Sequence, residues 1–122
     1  MTKFKSQGFN NTFKNARKGF RLVLKSEMNI RIHIVIALLV LITAFLLNFS
    51  SIEYCIVILT IALVMITEMI NTAIEFTLDA VYHNRYSKMV GMAKDISAGA
   101  VMFASVIAVI IGCIIFGRHL IG

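Results

Sequence analysis

Three long apolar runs, none broken by proline, most restrict what this chain can fold into. Residues 32–49 carry only His33 at the start and Asn48 near the end as clearly polar groups. As a helix rising 1.5 Å per residue, this run covers roughly 27 Å, about the hydrocarbon thickness of a bilayer. Residues 54–79 read as a second helix, apolar in its first half and polar in its second. Residues 93–117 read as a third, apolar from Ile96 onward. With 59% hydrophobic residues among 122 and a mean hydropathy of +0.88, the chain lacks the polar surface a soluble domain of this size needs. It also lacks the weak alternating segments of a membrane β-barrel. The expected fold class is all-α integral membrane: one domain over residues 1–122, with three transmembrane helices.

Residues 9–29 differ from the spans. Phe9, Phe13, Ala16, Phe20, Val23 and Leu24 recur at helical spacing, and Lys14, Arg17, Lys18, Arg21 and Lys25 supply a wet side. A basic helix with one apolar stripe beside a span is expected to lie in the membrane interface. Its charge also orients the chain. Eight of the twelve Lys and Arg residues lie in the first 31 positions, including Lys3, Lys5 and Arg31. Arg85, Lys88 and Lys94 sit at the second connector, residues 80–92, and none lies in the first, Asn48-Phe49-Ser50-Ser51. The basic excess marks the cytoplasmic side, so the N-terminus and second connector are expected there and the C-terminus outside. Anionic lipid accounts for the net charge of +6, and no nucleic-acid partner is expected. No cleavable signal peptide is expected either, because the N-terminus is polar and the first apolar run begins late. Cys55 and Cys113 fall in apolar runs and read as buried small hydrophobes. Ser51 reads as the N-cap of the second helix, with Glu53 near its start.

Of only six acidic residues, five cluster toward the face that the basic residues mark: Glu27, Glu68, Glu75, Asp79 and Asp95. Glu68, Asn71, Glu75 and Asp79 are spaced i, i+3, i+7 and i+11. On a helix they fall within a sector of roughly 80° and form a polar stripe about 16 Å long. Glu68 is the deepest member, among Ile66, Met69 and Ile70, and an ionisable group at that depth is expected to face the protein interior. Carboxylates and an amide at the bilayer edge suit a hard cation such as Mg²⁺. With Lys94 and Asp95 they make up the parts phosphoryl transfer needs: metal-holding acids, a base and a cation for phosphate charge. Interhelical polar contacts, a cation pathway in a channel or transporter, and a lipid-surface scaffold are the other readings the residues leave open. The phosphate-binding glycine motifs of soluble kinases are absent.

The segment Glu68-Met69-Ile70-Asn71-Thr72-Ala73-Ile74-Glu75-Phe76-Thr77-Leu78-Asp79 closely resembles the signature of the prokaryotic diacylglycerol kinase family. That signature is Glu-x-apolar-Asn-Ser/Thr-Ala/Ser-apolar-Glu-x-x-Val-Asp, with Leu78 here in place of valine. Ala93-Lys94-Asp95-Ile96-Ser97-Ala98-Gly99-Ala100-Val101 resembles the family's second motif. The resemblance extends over nearly the whole chain. It implies a bacterial inner-membrane lipid kinase that uses Mg-ATP, acting as a homotrimer with active sites shared between subunits at the cytoplasmic interface. By matched motif positions it implies Glu68 as general base, and Glu27 and Glu75 as holders of the nucleotide-bound magnesium. Asn71 and Asp79 would support the site. Lys94, Asp95, Arg17, Arg85, Tyr86 and Ser87 would contact ATP, and Glu68 and Ala98 the lipid. Ser26-Glu27-Met28-Asn29-Ile30-Arg31-Ile32-His33 is similar to the Glu-Arg-Asn-x-x-x-His type of the Gram-positive branch, with Met28 in place of arginine. That branch implies undecaprenol as the lipid alcohol, with diacylglycerol as the alternative.

Overall fold

The computed structural model describes residues 8–122, so Lys3 and Lys5 of the basic N-terminal count lie outside the described residues. Four helices follow one another: α1 Phe9–Ser26, α2 Met28–Leu46, α3 Ser51–Tyr82 and α4 Lys88–Ile121. No strand occurs among the described residues. Helices α2, α3 and α4 are long and apolar enough to cross a membrane. The most extensive packing is between α3 and α4; α2 packs on α3, and α1 on α2 more lightly.

Each helix departs from its expected bounds for a local reason. The helix expected over 9–29 stops at Ser26, because Glu27 takes an extended conformation (φ −118°, ψ 113°) and α2 restarts at once. Val23 and Ile30 are buried on either side of this break. The first membrane helix therefore begins at 28 rather than 32, and Arg31 and His33 lie in its first turns. It ends at Leu46, ahead of the expected 49, where Asn48 adopts a positive φ of 58°, a conformation asparagine tolerates better than most residues. Helix α3 starts before the expected 54, and its N-cap is Ser50, not Ser51. The Glu53 backbone N–H donates to Ser50 Oγ (3.2 Å) and the Ser50 N–H to Glu53 Oε1 (2.9 Å), a reciprocal capping box. At its other end α3 runs past the expected 79 to Tyr82, stopped by His83 and Asn84 at φ 52° and 62°. Helix α4 begins at 88 instead of 93, because Ser87 Oγ accepts the Val90 N–H (3.1 Å). The connector expected over 80–92 shrinks to 83–87. The 32 residues of α3 and 34 of α4 make rods of about 48 and 51 Å. Each is longer than the roughly 30 Å hydrocarbon slab, so each carries a polar turn or more beyond it.

Large apolar side chains such as Leu38, Leu59, Phe103 and Val109 are exposed on the outside of the helices, the surface that lipid would cover. Cys55 and Cys113, expected to be buried, are exposed as well. In a membrane span an apolar, weakly polar thiol faces acyl chains without cost, so apolar neighbours in sequence do not imply an interior position. Lipid gives helices no hydrophobic drive toward one another, so specific packing and hydrogen bonds hold them together.

The clearest such cluster lies at the α2–α3 turn. Phe49 is buried there, stacked on the His119 ring (centroids 4.6 Å apart, planes at 19°) and tilted against Phe116 at 5.0 Å. His119 Nε2 lies 2.8 and 3.0 Å from the two Glu53 carboxylate oxygens, tying the end of α4 to the start of α3. The Glu53 carboxyl is held below its ordinary value, chiefly by the Ser50 backbone N–H; desolvation opposes this and the His119 contact adds to it. Its stabilising contribution is therefore complete above the unfolded-chain value of about 4.3 and is lost as pH falls through the lowered folded value. Glu53→Gln is expected to lower the melting temperature in detergent at neutral pH and to flatten its decline on acidification. An unchanged acid limb in thermal melts would show that Glu53 contributes nothing to it.

Candidate active site

The polar half of α3 does not present its stripe uniformly. Glu68 is 3% exposed and Asn71 9%, while Glu75 and Asp79 are half-buried. Glu68 lies 17 residues past Ser51, about 26 Å along the axis. Starting from the α2–α3 turn, it comes close to the far edge of the hydrocarbon.

Three hydrogen bonds order this region. Asn71 Nδ2 donates to Glu75 Oε1 (3.2 Å), one turn further along α3. Ser97 Oγ, on α4, donates to Asn71 Oδ1 in a buried bond. Asn71 thus has its amide oriented from both sides, the carbonyl toward α4 and the NH₂ toward Glu75. Thr72 Oγ1 donates to the main-chain oxygen of Glu68 (3.0 Å). A buried side-chain bond of the Ser97–Asn71 kind contributes about 1 kcal/mol, and losing one partner leaves the other unpaired at greater cost. The result is a carboxylate, Glu75, held in place by a rigid amide, with the buried Glu68 just under two turns deeper.

His33 of α2 faces Glu68, with Nε2 3.8 Å from Oε2. The distance is too long for a hydrogen bond and short enough for one oxygen atom to reach both groups. His33 also opens a groove of about 420 Å³ between α2, α3 and α4, walled by Ile36, Val40, Ile61, Val64 and Met65.

Further along α3, Asp79 Oδ1 lies 2.8 Å from Lys94 Nζ on α4. Asp79 sits in the last turn of α3, where the helix dipole disfavours an anion, and Lys94 offsets this. Both side chains are more than a third exposed, so the pair contributes about 0–1 kcal/mol, and Lys94 can leave it at little cost.

The remaining residues singled out from sequence are more dispersed. Glu27 is half-buried at the α1–α2 break. Asp95 is exposed beside Lys94, Arg17 is exposed on α1, and Ala98 is exposed on α4 next to the buried Ser97. Arg85 and Tyr86 are exposed in the connector, and Ser87 serves as the α4 N-cap. The Tyr86 ring lies beside Gly91, where an added Cβ would come within 3.1 Å of it, so a side chain there would push the exposed ring aside by a few tenths of an ångström. Among the described residues, no three His, Cys, Asp or Glu side chains gather into a metal-sized group. Magnesium bound with a nucleotide needs only one or two carboxylates, with phosphate and water completing its shell. Glu75, oriented by Asn71, and Glu27 are carboxylates of that chemistry.

Sequence reasoning did not assign a site role to Ser97 or His33. Ser97 lies three residues after Lys94, on the same side of α4, which is the signal that could have found it. For His33 the signals were its place near the start of an apolar run and its position as the histidine of the Glu-Arg-Asn-x-x-x-His pattern.

The sequence profile of prokaryotic diacylglycerol kinases matches residues 14–116. A diacylglycerol kinase of Synechocystis sp. is 37% identical over 101 residues, which are 83% of this chain and 58% of that protein. An undecaprenol kinase of Bacillus subtilis is 38% identical over 108 residues, 88% of this chain and 87% of that protein. A diacylglycerol kinase of Escherichia coli is 35% identical over 102 residues, 84% and 83% of the two chains. The chain therefore spans somewhat over half of the Synechocystis relative and most of the other two.

Proposed function

This chain belongs to the prokaryotic diacylglycerol kinase family, a family of lipid kinases, and we propose that it transfers the γ-phosphoryl group of Mg-ATP to the hydroxyl of undecaprenol, giving undecaprenyl phosphate. The observation that carries the kinase reading is the burial of Glu68 on a membrane-length helix, in one stripe with the Asn71–Glu75 hydrogen bond. The substrate choice is supported by the likeness to the B. subtilis undecaprenol kinase over 87% of its length.

In this reading the lipid hydroxyl reaches Glu68 from the membrane side and the nucleotide comes from the water side. Glu68 accepts the hydroxyl proton as the new oxygen–phosphorus bond forms, and Ala98 borders the lipid. Glu75 and Glu27 hold the nucleotide-bound magnesium, which when present neutralises phosphate charge. Asn71 aims Glu75. Asp79 keeps Lys94 at the mouth of the site until phosphate draws it away, and Asp95, Arg17, Arg85, Tyr86 and Ser87 complete the nucleotide contacts. The α1 helix lies in the cytoplasmic interface of the bacterial inner membrane, basic side to water, which places Glu27 at the level of the phosphates. The assembly is a homotrimer in which sites form between subunits, bringing Glu27 of one chain to Glu75 and Glu68 of another.

A side-by-side assay with one preparation, radiolabelled ATP and equal mole fractions of undecaprenol and diacylglycerol tests the substrate. Undecaprenol is expected to be phosphorylated with kcat/KM at least about tenfold higher, a difference of about 1.4 kcal/mol in transition-state binding. Equal or reversed rates would make diacylglycerol the acceptor, as the names of the Synechocystis and E. coli relatives suggest.

A further inference from the structure

A base buried as deeply as Glu68 raises the question of where its proton goes. Each turnover leaves one proton on this carboxyl, and the group must lose it before accepting another. The Glu68 side chain is only 4% exposed, so direct exchange with water is obstructed. Neighbours on its own helix do not offer a route. Thr72 donates to the Glu68 main chain, not to its carboxyl, and the Asn71 amide is committed to Glu75 and Ser97.

On the facing helix, His33 presents a ring nitrogen 3.8 Å from Glu68 Oε2 and is 26% exposed. Imidazole takes up and releases a proton readily near neutral pH. A closure of about 1 Å brings the two atoms to hydrogen-bond distance. His33 is five residues into α2, about 8 Å from its start, and so lies toward the polar end of that helix. Resting on the reading of Glu68 as the base, we infer that His33 is a positioning residue that receives the proton from Glu68 and passes it to water.

The lipid oxygen bonds to the γ-phosphorus as the β–γ bridging bond of ATP breaks, and its proton moves to Glu68 Oε2. Glu68 gives that proton to the lone pair of neutral His33 at Nε2, restoring the carboxylate. The partly exposed imidazolium then releases a proton to water. ADP carries away the bridging oxygen and its negative charge.

The test compares wild type, His33→Ala, His33→Gln and Glu68→Gln in detergent micelles with saturating Mg-ATP and undecaprenol, with and without added imidazole. The expected result is a kcat for both His33 variants lower by about ten- to a hundredfold, with KM for Mg-ATP within twofold of wild type. Imidazole, entering the open groove beside position 33, should raise the kcat of His33→Ala in proportion to its concentration, with no effect on wild type. A His33→Ala kcat within twofold of wild type overturns the proposal. So does a loss that neither imidazole nor other proton-accepting buffers restore, since that is the mark of a packing role. Should His33→Ala fail to bind nucleotide, His33→Gln decides: a rate that rises with buffer base supports the relay, and a wild-type or buffer-independent rate overturns it. An active Glu68→Gln would instead remove the base reading beneath it, whereas an inactive Glu68→Gln beside a normal His33→Ala removes only the relay.

Discussion

Replacing Glu68 by glutamine is expected to lower kcat by about 10²–10⁴-fold, the range a positioned general base supplies, with Mg-ATP still bound. The substitution preserves shape and the backbone bond to Thr72, and it removes only the ability to accept a proton. The protein should tolerate it well. A buried carboxylate near the bilayer edge is costly, and a neutral amide of the same size is cheaper to hold there. Melting temperature in detergent is therefore expected to stay level or rise while activity collapses. That opposite movement separates a base from a residue that merely glues helices, for which activity and stability would fall together. Nucleotide affinity, read by fluorescence of a bound ATP analogue, should change less than about threefold, since Glu75 and Lys94 are untouched and sit about two to three turns further along the site. Near-full turnover by the glutamine variant would end the base assignment.

What could be read ahead of the structure follows the difference between local and interhelical information. The polar stripe was legible because positions 68, 71, 75 and 79 need only helical geometry to share a face. The Asn71–Glu75 bond is an i, i+4 contact of the same kind. The spans were legible from length and hydropathy, yet each helix end shifted, because capping and backbone conformation set the ends and hydropathy does not. Ser50 and Glu53 form a capping box whose pattern is present in the sequence, one residue ahead of the Ser51 cap expected there. Phe49 read as the end of a span and instead folds back into the Glu53–His119 cluster.

The contacts that could not be read are those that depend on how one helix is rotated and slid against another. Ser97 meets Asn71 across 26 residues of chain, and His33 meets Glu68 across the α2–α3 interface. In water, burial of apolar stripes would have suggested that rotation. Among lipid tails the apolar faces of α2 and α4 are nearly equivalent all round, so the sequence holds little record of which face is turned inward. The exposure of Cys55 and Cys113, against the expected burial, has the same cause.

Mixing two inactive variants should restore activity, and this is the sharpest test of sites built between subunits. Glu68→Gln lacks the base, and Glu27→Gln lacks the carboxylate at the α1–α2 break. If each site takes Glu68 from one chain and Glu27 from its neighbour, a mixed trimer can pair an intact Glu68 with an intact Glu27. In a random equal mixture of a symmetric ring, about one quarter of the sites contain both intact residues, so roughly a quarter of wild-type turnover is expected from two preparations that are each near zero. The variants must be unfolded and refolded together, because trimers formed separately would hold only defective sites. Alternatives give different numbers. If both residues served the same site from one chain, every site would carry one defect and the mixture would stay inactive. If Glu27 were dispensable, its own variant would be active before mixing. The geometry within one chain is compatible with the shared arrangement: Glu75 is aimed by Asn71, which Ser97 of the same chain anchors. Glu27 lies at the extended junction of α1 and α2, its backbone N–H donating to the Val23 carbonyl. A co-refolded mixture that remains as inactive as its parents, with trimers verified by cross-linking, would place the whole site within a single chain.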